Sequence, residues 1–105
     1  MNFIAWTIFV ASAVLEVGGD ALIRRGLRAQ SLTAIVTGFV GLGCYGLVVN
    51  SVKWDFSKML GVYVAVFASI SVFVGLWIFK ENVPVFTWIG LALIVAGGLT
   101  IQFGS

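Results

Sequence analysis

The chain has no histidine, one cysteine, one proline and little charge, with six basic and four acidic residues among 105. Without histidine, and with Cys44 alone in an apolar run, there is no Cys/His set to hold zinc and no thiol–imidazole pair to act as a nucleophile. A single cysteine forms no internal disulfide, so Cys44 reads as a packing residue. The glycine-rich stretches lie inside apolar runs and lack the strand–loop–helix setting and the Lys-Ser/Thr ending of a phosphate loop. Six dispersed cations do not make a nucleic-acid face. Neither an enzyme nor a nucleic-acid binder is expected, and neither a cofactor nor a metal.

What the chain does have is apolar length. It is 61% hydrophobic and 10% charged, with a mean hydropathy of +1.14, where soluble domains carry about 25% charged residues. A soluble protein of this size could not bury so much apolar surface. The charges fall into three gaps: Arg24, Arg25 and Arg28, then Lys53, Asp55 and Lys58, then Lys80 and Glu81. Between them lie four apolar segments, residues 3–23, 31–52, 59–79 and 85–103. The first, as a helix, rises about 31 Å, roughly the hydrocarbon thickness of a bilayer. The expected fold is therefore all-α and integral to a membrane, a single four-span domain over residues 1–105. Its loops of about five to seven residues make neighbouring helices antiparallel and put both termini on one side. Pro84 precedes the fourth segment, where its missing N–H costs little.

Two features of the first segment bear on topology. Ala11-Ser12-Ala13 has the small-x-small pattern of a signal cleavage site, but no basic residue precedes it and the apolar run continues past it, so the segment is expected to stay. Alternate loops set Arg24, Arg25, Arg28 and Lys80 against Lys53, Lys58 and the N-terminal amine. The positive-inside rule then weakly favours cytoplasmic first and third loops. So small a margin is compatible with insertion in both orientations.

Glu16 and Asp20 are the acids outside the charged gaps. An acid at the centre of a membrane helix costs about 2.5–3.5 kcal/mol on insertion scales, while each Leu, Ile, Phe or Val returns only about 0.3–0.6. Such groups mark function by default. Ala5, Phe9, Ser12, Ala13, Glu16, Gly19, Asp20 and Ile23 recur at steps of three and four, so the acids share a largely small or polar stripe. Arg24 continues it one turn past Asp20 and offers that acid a local ion-pair partner; Glu16 lies two turns away. Burial disfavours the charged form of a carboxyl group. Such a group holds a proton or a cation but not both at full strength, which is the minimum chemistry of proton-coupled cation exchange. The competing reading is a structural Glu16 hydrogen-bonded between helices. Four short helices leave no room for a substrate path of their own, so a dimer is expected. Ala34, Gly38 and Gly41, or Gly90, Ala96, Gly97 and Gly98, would let helix backbones approach, within one subunit or between two.

The run Leu15-Glu16-Val17-Gly18-Gly19-Asp20-Ala21-Leu22-Ile23-Arg24 resembles the first-helix signature of the small multidrug resistance family. There a membrane-embedded Glu is followed by a small residue three positions on and a basic residue eight on. Gly61-Val62-Tyr63 is similar to the family segment carrying a substrate-site Tyr. Phe79-Lys80-Glu81 and the run from Trp88 to Gly97 resemble its last loop and helix, and those of the wider drug/metabolite transporter superfamily. The resemblance implies a proton-coupled exporter of small organic cations in a bacterial inner membrane, working by alternating access. Glu16 would bind protons and substrate in turn, and Tyr63 would line the pocket with Ser12, Gly19, Asp20, Tyr45, Val66 and Phe67 as further candidates. Gly90 and Gly97, with Ala96 beside them, would join two subunits in a homodimer, commonly antiparallel, or a heterodimer with a paralogue.

The chain departs from the family where Val66 replaces a Trp usual in members that export guanidinium or quaternary ammonium compounds, and where Asp20 replaces a small or hydroxyl residue. Aromatic faces hold organic cations, so Tyr45, Phe67 and Trp6 are candidate substitutes for that Trp. A divergent branch with a different substrate is one implication. Another class of reading takes Arg24, Arg25 and Arg28 as a phosphate head-group site in a half-sized lipid-carrier or lipid-linked sugar translocase. A third takes the chain as a non-transporting accessory subunit.

Overall fold

Four helices account for nearly all of the computed structural model, which describes residues 3–104. They are α1 (Phe3–Ala29), α2 (Leu32–Val49), α3 (Phe56–Trp77) and α4 (Val85–Phe103), and all four are long and apolar enough to cross a membrane. They form two compact units, Met1–Val52 and Lys53–Ser105, each a helical hairpin. The N-terminal amine counted in the charge balance lies outside the described residues.

In the first hairpin α1 runs on past the apolar stretch to Ala29, with Arg28 in its last turn. Arg, Leu and Ala are strong helix formers, and cations complement the carbonyl end of a helix, so the arginine gap prolongs α1. Reversal takes two residues. Gln30 adopts a left-handed conformation (φ 56°), the Ser31 N–H donates to the Gly26 carbonyl at 2.9 Å, and the Ser31 hydroxyl accepts from the Ala34 N–H at 3.3 Å as the N-cap of α2. So tight a turn forces α1 and α2 into immediate antiparallel contact.

Glycines make that contact close. A Cβ placed on Gly19 would lie 2.8 Å from the Gly38 carbonyl oxygen, and one on Gly38 would lie 2.6 Å from the Gly19 carbonyl oxygen. Lower in the seam, a Cβ on Gly26 would meet Ile35 Cγ1 at 2.6 Å. Without a hydrophobic drive between helices in lipid, such backbone proximity is a main source of association. At its far end α2 closes on Asn50, whose amide Nδ2 donates to the Gly46 carbonyl at 2.8 Å, while the Ser51 hydroxyl donates to the Val48 carbonyl at 2.6 Å. These bonds occupy carbonyls that the helix end leaves open.

The second hairpin begins at Asp55, the N-cap of α3, and the Lys58 ammonium lies over the Trp54 ring at 4.8 Å. Ser57 and Lys58 sit inside the first turn of α3. After α3, Lys80 takes a left-handed conformation (φ 55°), and the Glu81 N–H returns to the Gly75 carbonyl at 3.0 Å. Pro84 caps α4 with φ −64° and ψ 157°, and its carbonyl accepts from the Thr87 and Trp88 N–H groups. The α3–α4 seam is set by Gly98, where a Cβ would lie 2.7 Å from Ala65 Cβ, and by Gly61, where one would lie 2.7 Å from Ile101 Cδ1. Phe73 meets Trp88 edge-on with ring centroids 6.0 Å apart.

Candidate functional site

The first hairpin carries Ser12, Glu16, Gly19, Asp20 and Tyr45. Glu16 is half-buried on α1, one turn from Ser12 on one side and from Asp20 on the other. A helix stacks positions i and i+4 on one face, so Ser12, Glu16 and Asp20 form a polar line along α1. Ser12 is wholly buried, Asp20 is exposed, and Arg24, one turn further on, is exposed as well. The line therefore grades from a buried hydroxyl through a half-buried carboxyl to an exposed one. Tyr45 of α2 is half-buried, and the Glu16 carboxylate lies within electrostatic reach of its hydroxyl. The hairpin thus gathers a carboxyl, an aliphatic hydroxyl and a phenol within a region of membrane-spanning length. That set can hold a proton or a small cation and can surround it with hydrogen-bond partners.

Gly19 belongs to the same stripe, but its open side is occupied by Gly38 and Leu42 of α2. Its place is in the seam that holds α1 and α2 together.

The second hairpin carries Tyr63, Val66 and Phe67 on α3 and Gly90, Ala96 and Gly97 on α4. Tyr63 is 2% exposed, and its ring lies 6.2 Å from that of Phe67 at an interplanar angle of 31°. Val66 is half-buried beside them. On α4 the glycines divide by surroundings. Gly98 faces α3, whereas a Cβ on Gly90 or Gly97 would meet nothing within 4 Å. Ala96 is exposed.

Residues distant in sequence make one further feature of this hairpin, and a single stripe of α3 makes another. Asp55, Ser57 and Lys58 at the start of α3 line a cleft of about 440 Å³ with Thr100, Ile101 and Gly104 from the end of α4. Ile70, Phe73, Val74, Trp77 and Ile78 line an apolar hollow of about 300 Å³. No motif marks the cleft, because it depends on which helix ends meet, whereas the hollow follows the three- and four-residue spacing of one stripe from Ile70 to Ile78.

Four apolar helices and an acid within one of them define a multi-pass membrane protein, and its relatives place it in bacteria. The UPF0060 membrane protein of Saccharopolyspora erythraea is 32% identical over 98 residues, covering 91% of this chain and 89% of that protein. The UPF0060 membrane protein of Mycolicibacterium vanbaalenii is 36% identical over 64 residues, 59% of each chain. The chain belongs to the UPF0060 membrane protein family. No family model matches it, and no solved structure does.

Proposed function

We propose that this protein is a divergent member of the small multidrug resistance group, a proton-coupled antiporter that exports small organic cations and works as a dimer. The observation that carries the reading is Glu16, a half-buried carboxyl on a spanning helix, with the Tyr45 hydroxyl in its field. A proton and a cation compete for such a group, and that competition couples their fluxes in opposite directions. Alternating access then follows if the occupied and protonated forms open to opposite sides.

Purified protein in liposomes on a solid-supported membrane tests this directly. Jumps in guanidinium compounds, quaternary ammoniums and polyamines are expected to yield transient currents for at least one class. Cation binding in weakly buffered detergent solution should release protons. If no cation gave a Glu16-dependent current and none displaced a proton, the exchanger reading would be wrong.

The dimer reading rests on α4, where Gly90 and Gly97 are seven residues apart and open. Two helices can approach along such a face. Gly97→Leu is expected to weaken dimerisation at least tenfold, measured by light scattering in detergent, while circular dichroism stays at the native helix content because a Cβ at this position meets nothing within 4 Å. An unchanged dimer would move the interface off this face.

A further inference from the structure

Where α3 begins and α4 ends, the second hairpin holds charges that it does not pair with each other. The cleft of about 440 Å³ there, between Asp55, Ser57 and Lys58 on one side and Thr100, Ile101 and Gly104 on the other, is open, since all of these but Lys58 are exposed. Its size falls within the range of about 300–1,000 Å³ usual for small-ligand sites. Asp55 and Lys58 stand three positions apart at the start of a helix, where opposite charges can meet. Among the described residues they form no ion pair. The Asp55 side chain makes no cap bond to α3, and the Lys58 ammonium rests over the Trp54 ring at 4.8 Å. The first bond of α3 runs from the Met59 N–H to the Asp55 carbonyl at 2.9 Å, so the N–H groups of Phe56, Ser57 and Lys58 have no carbonyl partner within the helix. Across the cleft, the Thr100 hydroxyl donates its proton to the Ala96 carbonyl at 2.8 Å, and its oxygen keeps lone pairs to accept with.

Position narrows what such a cleft can hold. α3 and α4 are both of spanning length, so the place where one starts and the other stops lies at the level where helices leave the hydrocarbon. Trp54 is half-buried there, and Phe56 and Phe103 are 68% and 66% exposed. Aromatic side chains of this kind sit at the depth of lipid head groups.

We propose that this cleft binds the head group of a zwitterionic bilayer phospholipid, phosphatidylethanolamine. The phosphate lies at the start of α3, where the Lys58 ammonium, the Ser57 hydroxyl and the first N–H groups are donors and the helix dipole is positive. The primary ammonium donates to the Asp55 carboxylate and the Thr100 oxygen, beside the carbonyl end of α4, which favours a cation. Ile101 offers the lipid an apolar neighbour. The contact of Gly61 with Ile101 holds the two sides of the cleft together. A phosphatidylglycerol head group matches Lys58 but brings no cation to Asp55. A phosphatidylcholine head group brings the charge without an N–H to donate. A site built to hydrogen-bond its ligand discriminates against analogues that cannot bond. The site does not depend on Glu16 or on what the chain transports.

The test is native mass spectrometry of the full-length protein, released from detergent micelles after incubation with equal amounts of dioleoyl phosphatidylethanolamine, phosphatidylglycerol and phosphatidylcholine. Phosphatidylethanolamine is expected to be retained about tenfold over either of the others, the effect of one charge-assisted hydrogen bond. Asp55→Asn, which keeps a good N-cap residue, should erase that preference by weakening phosphatidylethanolamine while phosphatidylglycerol binds no less than before. Lys58→Gln should weaken all three lipids, since each carries the phosphate, and Lys58→Arg should restore them. Lys53→Gln removes a cation of the same charged gap that does not line the cleft, and retention should stay within about twofold. Equal retention of the three lipids by the wild type, or equal losses from Lys53→Gln and Lys58→Gln, would reveal diffuse surface charge and overturn the proposal. So would release of the bound lipid by water-soluble glycerophosphoethanolamine at matched concentration, which would assign the cleft to a soluble zwitterion.

Discussion

Glu16→Gln is expected to reduce cation-driven current at least a hundredfold while leaving helix content and membrane insertion intact. Gln matches Glu in shape, keeps one oxygen acceptor and gains an NH2 donor where the protonated acid has an O–H, so a structural hydrogen bond between helices survives the change. What it loses is the charge that attracts a cation and the ability to take up and release a proton. Insertion should not suffer, because a neutral amide is cheaper to place in the hydrocarbon than an acid. The two readings of Glu16 therefore separate on one substitution. The sign of the pH effect sharpens the comparison. In the wild type a proton and a cation contend for one carboxyl, so apparent cation affinity should fall as the pH is lowered. In the Gln variant the residual affinity should be flat with pH. Glu16→Asp keeps the competition and moves the carboxyl toward the backbone, so exchange should persist at reduced rate. Full currents from Glu16→Gln would mean that transport does not pass through the Glu16 carboxyl and would remove the exchanger reading.

Hydropathy and helix extent are different quantities, and α1 shows why. The apolar run from Phe3 ends at Ile23 because arginines follow, yet those arginines propagate a helix well and α1 continues to Ala29. At α3 the same physics acts at the other end, where Ser57 and Lys58 lie within the first turn. Only at α4 do the two quantities coincide, because Pro84 both precedes the apolar run and caps the helix. Apolar patterning reports what lipid requires; caps and left-handed residues such as Gln30 and Lys80 decide where the backbone turns. The candidate site divides in the same way. An acid in an apolar span is visible in composition, so Glu16 stands out from the sequence. That Ser12 Oγ is buried without a hydrogen-bond partner is not visible there, since Thr7 and Ser69 occupy similar positions and settle their hydroxyls on nearby carbonyls. Burial and the absence of a local bond at Ser12 are properties of packing. Glycines are the sharpest case. Gly19 and Gly97 both read as small residues in a spanning helix, yet one is pressed against a neighbouring backbone and the other is open. What Gly19 meets is set by the turn at Gln30 and Ser31, residues remote from it.

That difference makes Gly38→Leu the substitution expected to damage the fold most. A Cβ there would lie 2.6 Å from the Gly19 carbonyl oxygen, 2.6 Å from Ile23 Cγ1 and 3.1 Å from the Ile23 backbone nitrogen. The Ile23 side chain can rotate away, but the two backbone atoms can move only with their helix. Relief therefore requires α1 and α2 to separate, which also opens the Gly26–Ile35 contact below. Overpacking of this kind costs about 1–3 kcal/mol when neighbours can yield. Here the obstacle is main chain and lipid supplies no drive to reclose the seam, so Leu is expected to cost at least about 3 kcal/mol, at the upper end of that range. Gly38→Ala should cost less, offset by roughly 1 kcal/mol of gained helix propensity. Gly43 and Gly46 are the controls, because a Cβ on either meets nothing within 4 Å, and Ala at each should be neutral or mildly stabilising. Unfolding in mixed micelles by titration with a denaturing detergent, followed by circular dichroism, ranks the four variants. The seam also fixes how Tyr45 faces Glu16, since one is carried by α2 and the other by α1. Gly38→Ala should therefore weaken cation binding even where the hairpin survives, whereas Gly43→Ala should not. A Gly38→Leu protein as stable as the wild type would mean that α1 and α2 are held by something other than the close approach of their backbones.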